Sequence, residues 1–256
     1  MKNLSNLILL GLVLIITSCH NQNPGPPVYD PADIQKDVRH FMSYVVSDVR
    51  LYQNFIAYDT LDNPMNKLSF LKALTSGNYF PLKLQSGDGK LYYQLYKFNP
   101  SADADMRTMI TGYAPTYYDH YKRVGNKFPS FDFTDINGTR YTTQSTKGKI
   151  VVLKCWFIGC TNCELEMPEL NALVRKYKNR KDVIFISLAP DTKIQLQAFL
   201  KRKRFDYTII PGQNTYMANV LNVNAFPTHF IINKQGTIVN VVDTPTEIQY
   251  SLDNDL

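Results

Sequence analysis

The chain has 256 residues, 44 % of them hydrophobic and 20 % charged, and its 28 basic against 22 acidic side chains leave a net charge of +6. That length suits one large domain or two small ones, and the composition excludes wholesale disorder. The basic excess is mild and its densest run is Lys201–Arg204, so nucleic acid is not an expected partner.

Residues 1–18 read as a signal peptide: Lys2, then the apolar run Leu7–Ile16, then small residues. As a helix that run would rise about 15 Å, too short to cross a bilayer. It ends in Ile16-Thr17-Ser18-Cys19, which resembles the bacterial lipobox. Cys19 is therefore the expected lipidated first residue of a mature chain, and its acyl chains the expected link to the membrane. The alternative is an ordinary secreted protein cut nearby, with Cys19 incidental. Residues 19–29 contain Pro24, Gly25, Pro26 and Pro27 and read as a tether. The expected location is the cell envelope, facing the periplasm. His20 stands after Cys19, not the Asp that often retains lipoproteins at an inner membrane, which points to the outer membrane.

Residues 30–124 form a first region, mostly helical with one β-hairpin. Asp30-Pro31-Ala32-Asp33 is a helix start, and apolar residues recur with helical period from Ile34 to Val49. Ser69–Leu74 reads as a second short helix. Asp88-Gly89 favours a hairpin joining Leu82–Leu84 to Leu91–Tyr96. Ala104–Val124 is helical again, with breaks expected near Gly112 and Pro115. Eleven of the 17 tyrosines fall here, and half-buried packing explains them better than a binding face does. The region carries no metal-ligand spacing, phosphate loop or nucleophile motif.

From about Gly125 to residue 256 the pattern becomes α/β. Phe128–Phe133 alternates as a strand, Asp135–Gly138 is a turn, and Thr139–Thr143 is β-prone. Ile150–Phe157 reads as a buried central strand. A helix over 163–178 follows, then strand Val183–Leu188, helix Ile194–Lys203, strand Tyr207–Ile210, helix Tyr216–Leu221, and strands Thr228–Ile232 and Thr237–Val241. That alternation predicts a central sheet flanked by helices.

Cys160-Thr161-Asn162-Cys163 sits where the buried strand hands over to a helix. Free N–H groups at a helix start stabilise a thiolate on the first cysteine, and the second lies one turn in, placed to resolve a mixed disulfide. Cys160 is the expected nucleophile and Cys163 its partner. Zinc would need two further ligands, yet Cys19 and Cys155 are the other cysteines and the four histidines show no paired spacing. Covalent haem would need His where Glu164 stands. A purely structural disulfide is the remaining alternative. No cofactor is expected.

Several separate segments resemble the TlpA/ResA-type membrane-anchored thioredoxin-like disulfide reductases. They are Val124–Pro129, Lys147–Leu153, Trp156 four residues before Cys160, Cys163-Glu164-Leu165-Glu166-Met167-Pro168, and Ala225-Phe226-Pro227-Thr228. The resemblance spans about residues 125–243 and implies a thioredoxin-like fold with a mixed sheet. It implies a cis Pro227, with Phe226 beside the cysteines to pair with a substrate backbone. It implies proton coupling by Glu166, for which an ordinary first-turn helix acid is the alternative, and Trp156 packed beside the site, counted with Phe226 and Pro227 on the substrate side. Pro168 should kink the active-site helix. The implied partners are disulfide-bearing envelope proteins, apocytochrome c among the possible clients, and a membrane thiol electron donor.

Three positions depart from that pattern. Gly159 replaces a bulky residue before Cys160 and opens the substrate face. Lys154 stands where thioredoxins bury an Asp and these relatives often an Asn; it would strengthen the thiolate or snorkel outward. Thr161-Asn162 matches neither a reducing nor an oxidising dipeptide, while Cys155 reads as a small hydrophobe in the strand. The expected function is envelope thiol–disulfide exchange in the reducing direction. A thiol peroxidase is disfavoured, since Leu153 and Phe157 precede Cys160 where its Pro and Thr/Ser belong. A binding module built on residues 30–124 is the other reading.

Overall fold

The structure, a computed structural model, describes residues 25–256. The expected signal peptide and Cys19 lie outside the described residues. Among the described residues no helix is long and apolar enough to cross a membrane. Residues 26–28, within the expected tether, pair with the chain around Lys83–Gln85. The Val28 N–H donates to the Lys83 carbonyl at 3.0 Å, and the Gln85 N–H to the Pro26 carbonyl at 2.9 Å. An edge strand offers unpaired backbone groups, and this segment takes them up. Gly25 permits the close approach, because a Cβ there would lie 2.5 Å from the Gln85 carbonyl oxygen.

The first unit opens with α1 (Pro31–Ile34), capped by the Asp30 carboxylate on the Ala32 N–H. The expected continuous helix is divided, because Asp37 accepts from the His40 N–H and starts α2 (Val38–Asp48) afresh. Then come β1 (Phe55–Tyr58), β2 (Pro64–Met65), α3 (Lys67–Leu74), β3 (Tyr79–Lys83), β4 (Leu91–Lys97) and α4 (Ala104–Tyr121). The hairpin β3–β4 forms as expected, and β1 and β2 enlarge it to a sheet of order β2-β1-β4-β3, with β1 parallel to β4. Pro81 sits in edge strand β3, where proline is tolerated. The break expected near Gly112 and Pro115 does not occur. Ile110 and Ala114 have no exposed surface, and their packing holds α4 through Pro115. Phe41, Phe70, Phe80 and Tyr93 fill this unit's core. The tyrosines are packing residues: the Tyr44 hydroxyl donates to the Pro81 carbonyl at 2.7 Å, and Tyr93 to the Asp48 carbonyl.

The second unit begins with the hairpin β5 (Asp132–Thr134) and β6 (Arg140–Thr142). Next are β7 (Ile150–Cys155), α5 (Thr161–Leu165), α6 (Met167–Lys176), β8 (Val183–Leu188), α7 (Lys193–Leu200) and β9 (Thr208–Ile210). A π-helical turn over Tyr216–Val220 leads to β10 (Thr228–Ile232), β11 (Ile238–Val242) and α8 (Pro245–Asn254). The sheet order is β11-β10-β7-β8-β9, with β7, β8 and β9 parallel and β10 antiparallel to both neighbours. This is the thioredoxin-like arrangement, a mixed sheet flanked by helices. Central β7 is buried throughout. Val151, Leu153 and Cys155 enter one core with Phe230 and Val241, while Ile150 and Val152 enter the other with Trp156, Leu170 and Ile248. α8 lies beyond the last predicted strand, and Thr244-Pro245-Thr246-Glu247 carries its signal: the Thr244 side chain accepts from the Glu247 N–H, with Pro in the first turn.

Polar contacts join the two units. Asn240 donates to the Tyr52 carbonyl at 3.1 Å, and the Tyr117 hydroxyl to Glu247 Oε1 at 3.0 Å. Arg123 donates to the Leu221 and Asn222 carbonyls at 2.6 and 3.0 Å, which ties the end of the first unit to the loop before Phe226.

Candidate active site

Cys160 is the N-cap of α5, one turn earlier than the helix expected from Cys163. It is joined to Cys163 as a disulfide, with the Cα atoms 5.2 Å apart. Its sulfur accepts from the Cys163 N–H at 3.3 Å, so a backbone donor already faces the atom that would carry a thiolate. Cys160 keeps 7 % of its surface exposed and Cys163 none. The two sulfurs therefore differ in access as the sequence spacing implied.

The rim around Cys160 is apolar and partly exposed. Phe157 and Ile158 precede it, and Phe226 packs on the same cluster, its ring 5.3 Å from that of Phe157. The Phe226–Pro227 peptide is cis, as the resemblance implied. Gly159 is exposed at φ +93°, and nothing lies within 4 Å of the Cβ it lacks, so the opening before Cys160 is real. Trp156 is fully buried and packs on Phe199 and Phe205 at 5.3 and 5.6 Å. It supports the site from inside and offers no surface to a substrate. Cys155 is fully buried, and burial pushes its thiol well above the ordinary range.

Beneath the disulfide lies a charged cluster that the sequence pattern did not bring together. Glu166 occupies the joint between α5 and α6, where Pro168 in the first turn of α6 marks the break. Its carboxylate meets the Lys154 ammonium directly. The ammonium also donates to the Cys163 carbonyl at 3.2 Å. Lys154 has no exposed surface, so it does not snorkel outward: a counter-charge inside the fold holds it there. His229 completes the cluster, its Nε2 3.2 Å from Glu166 Oε1. Strand pairing places it, since His229 on β10 lies opposite Lys154 on β7. Spacing within the sequence could not reveal it, because the two residues are 75 positions apart and meet only through antiparallel register.

The electrostatics follow from burial and neighbours. Burial pushes the Glu166 carboxyl up, but His229 and Lys154 outweigh it and hold the group below its ordinary value. Burial lowers the Lys154 ammonium against the pull of Glu166, and burial likewise lowers His229. Among the described residues no group of His, Cys, Asp and Glu side chains could hold a metal ion.

A paired, unequally exposed dithiol at a strand-to-helix junction, in a chain whose Phe226–Pro227 peptide is cis, can exchange disulfides. The chain is similar to several known proteins. Residues 124–241 match the AhpC/TSA family. A thiol-disulfide oxidoreductase ResA of Bacillus cereus is 32 % identical over 120 residues, spanning 47 % of this chain and 69 % of the relative. The ResA of Bacillus subtilis strain 168 is 28 % identical over 118 residues, or 46 % and 66 % of the two chains. A solved thiol-disulfide oxidoreductase from Bacteroides fragilis covers 51 % of this chain and all of its own, at 16 % identity and a TM-score of 0.47. By its dithiol, its fold and the extent of its likeness to ResA, the chain belongs to the ResA family of thiol-disulfide oxidoreductases.

Proposed function

We propose that the chain is a lipid-tethered reductase of disulfides in extracytoplasmic proteins, with Cys160 as nucleophile and Cys163 as resolving thiol. The observation that carries this is the asymmetry of the pair: Cys160, at a helix N-cap, keeps 7 % of its surface open, and Cys163 is sealed beneath it. In the reduced protein the Cys163 N–H would stabilise a Cys160 thiolate, which attacks a substrate disulfide. The backbone at Phe226 would pair with the substrate chain in extended form, and the rim of Phe157, Ile158 and Phe226 would receive apolar side chains beside the target cysteine. Glu166 would manage the proton of Cys163. The likeness to ResA proteins supports exchange chemistry, and the Cys19 motif supports an envelope location. The electron source would be a membrane thiol carrier.

Replacing Cys163 with Ser tests the roles. The variant should accumulate mixed disulfides through Cys160, and Cys160→Ser should form none and lose reductase activity. Trapping through Cys163 in the Cys160→Ser protein would overturn the assignment. The reduction potential tests the direction of flow. A value near that of thioredoxin, about −270 mV, fits a reductant, whereas about −120 mV would make the chain an oxidant. Radiolabelled palmitate should enter the full-length protein and fail to enter Cys19→Ser; equal labelling of both would refute Cys19 as the lipid site.

A further inference from the structure

The cluster under the dithiol puts a cation on the strand, where the resemblance leads one to expect Asp or Asn, beside the acid of the helix joint. Lys154, Glu166 and His229 are all buried, and the ammonium touches both Glu166 and the Cys163 carbonyl. His229 Nε2 faces both oxygens of Glu166, at 3.2 and 3.4 Å. His229 Nδ1 has no hydrogen-bond partner among the described residues. Its tautomer is therefore not fixed from behind. Nε2 can donate to a carboxylate or accept from a carboxylic acid, so the imidazole can stay bonded to Glu166 in either protonation state.

We propose that Lys154 and His229 are positioning residues that let Glu166 take the proton of Cys163 when the mixed disulfide is resolved. The inference rests on the roles given above to Cys160 and Cys163. In that step the Cys163 thiol gives its proton to the Glu166 carboxylate, and the thiolate attacks Cys160 Sγ. The Cys160–Cys163 bond forms, and the bond from Cys160 to the substrate sulfur breaks. The substrate sulfur leaves as a thiolate that takes a proton from water. The dithiol is oxidised and the substrate reduced by two electrons. Lys154 is counter-ion to the carboxylate before transfer and to the thiolate after it, so the cluster keeps its net charge. In a buried site, moving a charge beside a fixed cation costs far less than creating one. Other titratable groups close enough to act on the cluster are Cys155 beside Lys154, Tyr207 and Asp243 near Glu166, and His120 of α4 near His229.

The test uses the fully reduced protein and Ellman's disulfide, followed by nitrothiobenzoate release. The first phase reports attack by Cys160 and the second reports resolution by Cys163. His229→Phe should slow the second phase by about tenfold or more at neutral pH and change its pH profile, within the range of proton-transfer effects. The first phase should stay within about twofold. His229→Gln, whose amide can donate or accept, should restore most of the rate. Lys154→Met should move the second-phase midpoint to higher pH. An unchanged second phase in both His229→Phe and Lys154→Met overturns the proposal, as does equal slowing of both phases. If Cys160→Ser still gave the first phase, the underlying assignment of the nucleophile would fail instead.

Discussion

Replacing Glu166 with Gln should cost this protein a large part of its stability. The substitution keeps the side-chain shape and removes one charge. Lys154 then remains with no exposed surface and without its counter-ion, holding only the Cys163 carbonyl at 3.2 Å and the neutral amide. Removing one partner of a buried ion pair costs about 3–5 kcal/mol, against about 5–15 kcal/mol for the stability of a typical protein. Lys154→Met alone should cost a similar amount, because Glu166, 8 % exposed, would be left with His229. The double variant should cost clearly less than the two singles together, since no charge is then stranded. Urea denaturation of the oxidised protein at pH 7, read from the fluorescence of the single tryptophan, Trp156, supplies all four corners of the cycle. A loss below about 1 kcal/mol in Glu166→Gln, or costs that add within about 0.5 kcal/mol, would refute the argument. The pH sign is fixed too. The folded Glu166 carboxyl lies below its ordinary value, so its contribution is complete above that value and is lost as pH falls through the folded one.

Acid should also remove the contribution of His120, while Asp243, 3.7 Å away and raised to about 7 by burial, acts with the opposite sign. His120 is 8 % exposed and burial lowers it from 6.5 to about 4, so the unfolded chain binds the proton first. Its stabilising effect is complete above 6.5 and is lost as pH falls toward 4. At about 1.4 kcal/mol per pH unit the loss is on the order of 3 kcal/mol, and His120→Gln should flatten the urea-midpoint profile in that window; an unaltered slope would contradict it. Gly159→Ala should destabilise by about 1–2 kcal/mol although the space is free, since φ is +93° and an L side chain is strained there; a thermal melt that does not move would show that the turn relaxes. Arg123→Ala frees the Leu221 and Asn222 carbonyls, and amide exchange in residues 221–228 should speed up while β7 keeps its protection. Phe41→Ala removes a fully buried ring packed on Phe80 and Phe98 at 5.6 and 5.4 Å, and should cost about 3–5 kcal/mol in a denaturation curve.

The sequence alone carried the second unit far, because its signals are local. An apolar run interrupted by Lys154 makes β7, two cysteines three apart mark its exit, and turn residues separate the other strands. Strands Val183–Leu188 and Thr228–Ile232 have the limits their β-branched runs imply. Helix ends were less legible. Asp37 divides a continuous helical period, and packing carries α4 through Pro115 where local preference would stop it. In the first unit the hairpin was visible at Asp88-Gly89, but β1 was not, because a parallel partner 36 residues away leaves no turn signal.

The candidate site divides in the same way. Cys160 and Cys163 follow from spacing at a strand-to-helix junction, since two intervening residues put both sulfurs on one turn. Phe226-Pro227 was readable as a motif, though only the fold brings Phe226 against Phe157. The buried cluster belongs to tertiary structure alone. Lys154 looked like a charge that could escape along its stem, and His229 like an isolated imidazole in a strand. Antiparallel register sets the two side by side, the helix break at Glu166 brings a carboxylate to both, and burial then makes each charge depend on the others.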